Sequence, residues 1–248
     1  MDSVVKFYRL HSDAPPPLRG DKAALGTIPT AAFQYCEPVR TASSYGWYIF
    51  PPVDILLKWN GADVHYIDDG EWRRLTSIHL TDDFVDHWDT HAPDELKGYW
   101  PPFMTAISGP GIVQIWSGLL ISTATDWSTI IGPIPNLVQT RQFSCFEGIV
   151  ETDVFKPCPL FINLRLQATD QDIHIPRDKP LFFVRPVRRE CYSEASLTSA
   201  FVDGANKMEP ADWLGYSGTV RKIDTSLDEY KPGRYAAAQR KRSKRSSD

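Results

Sequence analysis

The chain has 248 residues, of which 42% are hydrophobic and 12% aromatic, and its formal net charge is −4. This composition is sufficient for a packed core, and no run of about 18 apolar residues predicts a transmembrane helix. No apolar segment follows a basic start at the N-terminus, so no secretory signal peptide is predicted. We therefore expect a cytoplasmic protein with no membrane partner.

Charge is distributed unevenly along the chain. Residues 239–248 contain five basic residues and one acidic residue, a net charge of +4. The remainder therefore carries −4 minus 4, or −8, and an acidic globule is a poor general binder of nucleic acid. We expect no nucleic-acid partner, and we expect this basic tail to be disordered because it cannot bury apolar surface.

The cysteines are far apart in the sequence and form no C-x-x-C pair. A four-cysteine zinc site needs paired spacing, so none is predicted. Free thiols in a reducing compartment are the simplest interpretation. The residues concerned are Cys36, Cys145, Cys158 and Cys191.

The first third of the chain predicts short strands separated by turn residues. Aromatic and β-branched residues alternate in these segments, and Gly, Pro and Asn interrupt them. An Asn-Gly pair at residue 60 predicts a tight turn. The strands are expected at 33–35, 47–50, 53–59 and 72–80.

One helix is predicted over residues 82–90. Thr81 is suited to its N-cap, and the two acidic residues that follow are favourable near the positive end of a helix. His87 and His91 are four residues apart, a spacing that can chelate a metal ion. The same spacing is typical of the polar face of an amphipathic helix.

The segment from Gly111 to Asp153 carries the strongest β pattern. Residues 112–122 predict a strand with one apolar face. The opposite face, which contains Trp116, is half apolar, so both faces should be covered by the protein. Residues 127–131 are expected to complete a hairpin with it, and residues 146–150 predict a third strand. The alternating apolar set of the first strand is Val113, Ile115, Leu119 and Ile121.

The rest of the chain predicts further strands, followed by a segment of short helices and loops. Strands are expected at 160–166, 173–175 and 181–187, with short helices and loops after residue 192. We expect a mainly β fold, a β-sandwich, jelly-roll or cupin-like barrel with a few short helices. The expected organisation is a β-sandwich domain at 1–192, helices and loops packing on it at 193–238, and the tail at 239–248.

Four segments resemble an uncharacterised, mostly bacterial family, domain of unknown function family 6065. The specific elements are Tyr-Gly-Trp at residues 45–47, Trp-Asn-Gly at 59–61 and Gly-Ile-Val-Glu-Thr-Asp at 148–153. The resemblance implies no particular activity or cofactor. The matching segments are residues 41–61, 111–136, 146–166 and 174–191.

Glu151 and Asp153 are the candidate catalytic residues. Alternation places both on one strand face with Glu147. Two such carboxylates can bind a metal, or one can act as a general acid and the other as a general base if burial raises the pKa of one of them. The alternative interpretation is structural: they end a strand and pair with an arginine, as carboxylates in ion-pair networks do. The arginines considered for that pairing are Arg165, Arg185 and Arg188.

The candidate ligand-binding residues come from the matching segments. The tryptophans are suited to a sugar or aromatic ligand, but they are also ordinary core residues of a sandwich. The asparagines also suit turns, or need partners where they are buried. The set is Tyr45, Trp47, Trp59, Asn60, Trp116, Asn136, Glu147 and Asn163.

Three functional classes remain open from the sequence. The first is a small-molecule-binding β-sandwich protein acting as a metabolic tailoring enzyme. The second is a metal-dependent cupin-like oxygenase, and the third is a structural or assembly protein without a catalytic pocket. A small-molecule ligand is the expected partner, whereas the cofactor, the metal and the oligomeric state are not predicted.

Overall fold

A computed structural model describes residues 3–107, 111–137 and 142–220, together with Gln239 and Arg242. Apart from those two residues, the predicted basic tail lies outside the described residues. The helices of the described part are α1 (Thr30–Tyr35), α2 (Glu37–Ser44), α3 (Asp82–His91) and α4 (Pro210–Val220).

Short antiparallel strands make up most of the regular structure, which confirms the predicted mainly β fold. In the described part they are β1 (Val5–Arg9), β2 (Leu18–Arg19), β3 (Trp47–Ile49), β4 (Ile55–Trp59), β5 (Val64–Asp68), β6 (Glu71–Arg74), β7 (Ser77–Ile78), β8 (Met104–Ile107), β9 (Ile112–Thr123), β10 (Trp127–Gly132), β11 (Phe143–Cys145), β12 (Gly148–Val150), β13 (Cys158–Leu166), β14 (Asp172–Ile175) and β15 (Phe182–Arg188).

These strands form three antiparallel sheets. The first has the order β11-β13-β9-β8-β7, and β1 pairs with the second half of β9. The second has the order β12-β10-β15-β3-β2, and the third has the order β14-β4-β5-β6. One apolar core joins side chains of all three sheets.

The long strand β9 is the centre of the first sheet, as its alternation predicted. Its four alternating apolar side chains and Trp116 on the other face are all buried. Gly118 has a φ of +78°, and a Cβ there would lie 2.8 Å from the Cβ of Ala14. Only glycine fits this position without strain, and here β9 changes its neighbour from β8 to β1.

The predicted hairpin of β9 and β10 is wrong. In the described chain β10 pairs with β12 and β15, in the second sheet, rather than with β9. The reason is that β9 already pairs with β13 along one side and with β8 and β1 along the other. The turn after Thr123 therefore leads from one sheet to another, and the Thr123 hydroxyl donates to the carbonyl of Trp127 at 2.6 Å.

The predicted strand at 72–80 is two strands in different sheets, because β6 belongs to the third sheet and β7 to the first. The predicted strand at 146–150 contains only β12 of the second sheet, and β11 of the first sheet lies just before it. A further prediction, the strand at 33–35, is wrong because these residues belong to α1. Pro29 precedes that helix and accepts the N–H of Phe33 at 2.9 Å, and the Thr-Ala-Ala start favours a helix.

The predicted acidic helix is present as α3. The hydroxyl of Thr81 accepts the N–H of Phe84 at 3.1 Å, which is the expected N-cap. After Tyr192 the chain forms short 3-10 turns and α4, in agreement with the predicted short helices and loops. The boundaries at 192 and 238 stay a prediction. Among the described residues, no helix combines the length and apolar character needed to cross a membrane.

Candidate functional site

The three-sheet cleft is a cavity of about 510 Å³ at the place where the sheets meet. The first sheet contributes strand β11, the third contributes β14, and the segments after β10 and before β15 contribute the second sheet's side. The residues that line it are Leu25, Thr27, Ile134, Leu137, Gln142, Phe143, His174, Ile175, Pro176, Lys179, Pro180 and Leu181.

The walls of the three-sheet cleft are mostly apolar, and backbone contacts hold them in place. The N–H of Leu181 donates to the carbonyl of Ile49 at 2.8 Å. Between Pro176 and Pro180 the N–H of Lys179 donates to the carbonyl of Pro176 at 3.2 Å, which closes a tight turn. Two prolines and a closed turn restrict the backbone, so this wall is preformed.

The polar side chains of the three-sheet cleft are few. Gln142 donates through Nε2 to the carbonyl of Asp172 at 2.9 Å, which fixes its amide at the rim. His174 and Lys179 are exposed, and Thr27 donates to the carbonyl of Ala24 at 2.7 Å. None of the described residues that line this cleft is acidic.

Cys145 lies beside this cleft, with its Sγ 3.5 Å from the carbonyl oxygen of Leu181. Burial raises the pKa of the Cys145 thiol to about 12. The thiolate is the nucleophilic form of cysteine, so this thiol is unreactive at neutral pH. The arrangement around the cleft is therefore suited to binding rather than to thiol chemistry. All four cysteines are free thiols, as predicted.

The acidic cleft is larger, about 660 Å³, and lies between the β4–β5 hairpin and the start of α3. Its carboxylates are mostly engaged in local contacts. Asp68 pairs with Arg73 at 3.0 Å, and Asp82 accepts from His79 at 2.8 Å. The side chain of Asp54 accepts the N–H of Arg177 at 2.7 Å, so these groups serve loop and helix geometry.

The helix pocket, about 210 Å³, is lined by one side of α3. The rings of His87 and His91 are 4.2 Å apart, and Nδ1 of His91 lies 2.8 Å from the carbonyl oxygen of His87. The pocket is otherwise mainly apolar. In the described ranges, no group of three or more His, Cys, Asp and Glu side chains is arranged to hold a metal ion.

The two candidate catalytic carboxylates share one arginine. Arg189 pairs with Asp153 and lies 3.7 Å from a carboxylate oxygen of Glu151. Asp153 also accepts the N–H of Asp126 at 2.9 Å. Burial alone would raise the pKa of Asp153, but the Asp126 N–H and Arg189 outweigh it and hold the pKa below its usual range.

The third predicted carboxylate, Glu147, has a different partner. It pairs with Arg185 at 2.6 Å, so the expected cluster of three carboxylates is divided between two arginines. Arg185 was among the predicted partners, whereas Arg189 was not. The pairing with Arg189 matches the structural interpretation of Glu151 and Asp153, and their catalytic role stays a prediction.

The Tyr-Gly-Trp element lies against strand β15. Tyr45 donates to the carbonyl of Pro186, and the guanidinium of Arg19 lies 4.8 Å from the ring centre of Trp47. Gly46 has a φ of +147°, and a Cβ there would lie 2.2 Å from the carbonyl oxygen of Val184. The glycine is therefore needed for the close approach of the two backbones.

Two of the predicted tryptophans pack inside the fold. Trp116 is fully buried, donates to the carbonyl of Leu119 at 2.8 Å and packs on Phe84. Trp59 is partly buried and its ring packs closely on Gly111, where an added Cβ would lie 3.1 Å from the ring. Asn60 accepts two backbone N–H groups at 2.7 and 2.9 Å, as expected of a turn residue.

The other two asparagines also have identified partners. Asn136 has a φ of +61° and donates to the carbonyl of Val39 at 3.1 Å and the hydroxyl of Ser43 at 2.9 Å. Asn163 accepts from Gln114 at 3.2 Å across the β9–β13 pair. Both amides therefore hold neighbouring segments together.

None of the predicted site residues lines the three-sheet cleft, the acidic cleft or the helix pocket. The three-sheet cleft was not predicted from the sequence because its wall comes from segments about 150 residues apart. The sequence does carry one signal for it: Pro176 and Pro180 bracket the turn between the predicted strands at 173–175 and 181–187.

Distant matches among solved structures are dUTPases of Staphylococcus bacteriophages. A variant of the phage 80alpha dUTPase has 8% identity, with 86% of this chain and 95% of that chain covered, and a TM-score of 0.41. The dUTPase of phage phi11 of S. aureus has 9% identity, with 84% and 99% covered, and a TM-score of 0.39. These scores are too low to carry a fold or functional assignment.

No protein-family model and no curated protein matches this chain. The resemblance of residues 41–191 to family 6065 therefore stays a prediction.

Proposed function

We propose that the protein binds a small, mainly apolar organic molecule in the three-sheet cleft. One observation carries this proposal: a cavity of about 510 Å³ with apolar walls and only a few polar side chains. Binding sites for small organic molecules generally have about 300–1,000 Å³ and this kind of lining. The acidic cleft is less suited because most of its carboxylates are already paired with a side chain or a backbone N–H of the protein.

The local anchors of the wall support the same function. Leu181 is held by Ile49, and Asn136 ties the segment before Leu137 to α2. A preformed wall loses little conformational entropy when a ligand binds. The cleft therefore requires no large rearrangement to accept a flat apolar ring beside Phe143.

The test is a binding assay with a panel of small aromatic compounds. Leu137→Trp should fill the cleft, whereas Leu197→Trp makes the same change at a side chain that is 64% exposed and does not line it. We expect the wild type and Leu197→Trp to bind members of the panel with Kd below about 1 mM. Leu137→Trp should fold normally and lose at least roughly tenfold in affinity.

Thermal melts of both variants separate a loss of binding from a loss of folding. Equal affinity of Leu137→Trp and wild type would contradict the proposed site. A wild-type protein that binds no member of the panel would contradict the proposed function itself.

A further inference from the structure

The rim of the three-sheet cleft carries two cation-forming side chains, His174 and Lys179, and both are exposed. Within the described residues, the Lys179 ammonium forms no ion pair, and the His174 ring forms no hydrogen bond. Other exposed lysines of the described chain do pair with a carboxylate: Lys97, for example, binds Asp94 at 2.6 Å. The charge of Lys179 is therefore not neutralised by the described protein.

Carboxylates in the segments that adjoin this rim are engaged elsewhere or do not line the cleft. Asp172 pairs with Lys58, and Asp54 accepts the backbone N–H of Arg177. Asp178 is next to Lys179 in sequence but does not line the cleft. The net charge of the chain is −4, yet the described residues that line this cavity include a lysine and a histidine and no acidic residue.

We propose that the ligand of this cleft is an aromatic carboxylate. This inference rests on the proposed function and adds the charge of the ligand to it. The ring packs on the apolar wall at Phe143, as aromatic rings do in offset or edge contacts. The carboxylate points to the rim, where Lys179 supplies the opposite charge and His174 a hydrogen-bond donor.

An aromatic carboxylic acid and its primary amide test this inference, because the two have nearly the same shape and only the acid is charged. We expect the wild type to bind the acid roughly tenfold more tightly than the amide. Lys179→Met keeps an unbranched side chain without the charge, so it should reduce the affinity for the acid to that for the amide. Its affinity for the amide should not change.

Lys156→Met is the matched control, because Lys156 is exposed and does not line the cleft. It should bind both compounds as the wild type does. Equal binding of acid and amide by the wild type, with both lost in Leu137→Trp, would overturn the charge inference and leave the proposed function standing. Binding of neither compound by the wild type would overturn both.

Discussion

Arg189 joins the end of β15 to the turn after β12 through the carboxylate of Asp153. The Asp153 side chain is only 6% exposed, and it also accepts the N–H of Asp126 in the turn between β9 and β10. One carboxylate thus connects three separate segments at the point where the chain passes between sheets. Glu151, two residues away, lies 3.7 Å from the same guanidinium but is 42% exposed.

We predict that Asp153→Asn destabilises the protein and that Glu151→Gln does not. Asp153→Asn removes the charge from a buried partner of Arg189, which should cost about 1–3 kcal/mol. Glu151→Gln weakens a half-exposed ion pair, and such pairs contribute about 0–1 kcal/mol. Urea unfolding of the two variants measures both values. A larger loss for Glu151→Gln would contradict this division of roles.

The lowered pKa of Asp153 predicts a pH dependence of stability. A carboxylate whose folded-state pKa is lowered contributes stability above its unfolded pKa of about 3.9, and this is lost as the pH falls through the folded pKa. The stability difference between wild type and Asp153→Asn should therefore be constant above about pH 5 and shrink below about pH 4. A difference that grows in acid would contradict the ion pair.

Trp116→Ala should be among the most destabilising single changes in the chain. Its indole is fully buried against Phe84 and donates to the Leu119 carbonyl, and emptying such a site costs about 3–5 kcal/mol. The control is Trp213→Ala, because Trp213 is 44% exposed on α4; it should change stability by about 0.5 kcal/mol or less. Similar losses for both variants would show that Trp116 is not a core residue.

Gly46→Ala should destabilise the protein more than Gly61→Ala does. Both glycines have positive φ, but a Cβ at Gly46 would lie 2.2 Å from the Val184 carbonyl oxygen, whereas a Cβ at Gly61 meets nothing within 4 Å. Gly61→Ala measures the backbone strain alone, about 1 kcal/mol. Chemical denaturation of the two variants gives the difference, and equal losses would rule out the close contact at Gly46.

Local patterns in the sequence predicted the parts of the fold that depend on neighbouring residues. Alternation identified β9 and β13, and the Thr81 cap identified the start of α3. The sheet to which each strand belongs was not predictable in this way, because β10 is excluded from β9 by β13, β8 and β1, which occupy both edges of β9. Of these partners, β1 and β13 are distant from β9 in sequence, so a pattern within one segment does not reveal them.

The candidate site shows the same limit. The carboxylates of residues 147–153 were recognisable as a group, but Arg189, the partner of Glu151 and Asp153, lies one residue beyond β15. Its contact with Asp153 depends on the pairing of β12 and β15 with opposite edges of β10. The three-sheet cleft depends on how separate segments that contain Leu25, Phe143 and Leu181 come together. No period or spacing within one segment contains that information.

The most direct test of the proposed binding site is an experimental structure of the protein with the panel member that binds most tightly. We predict that the ligand occupies the three-sheet cleft, with its ring against Phe143 and Leu137 and its acidic group facing Lys179. A ligand bound in the acidic cleft or the helix pocket, with the three-sheet cleft empty, would contradict the account.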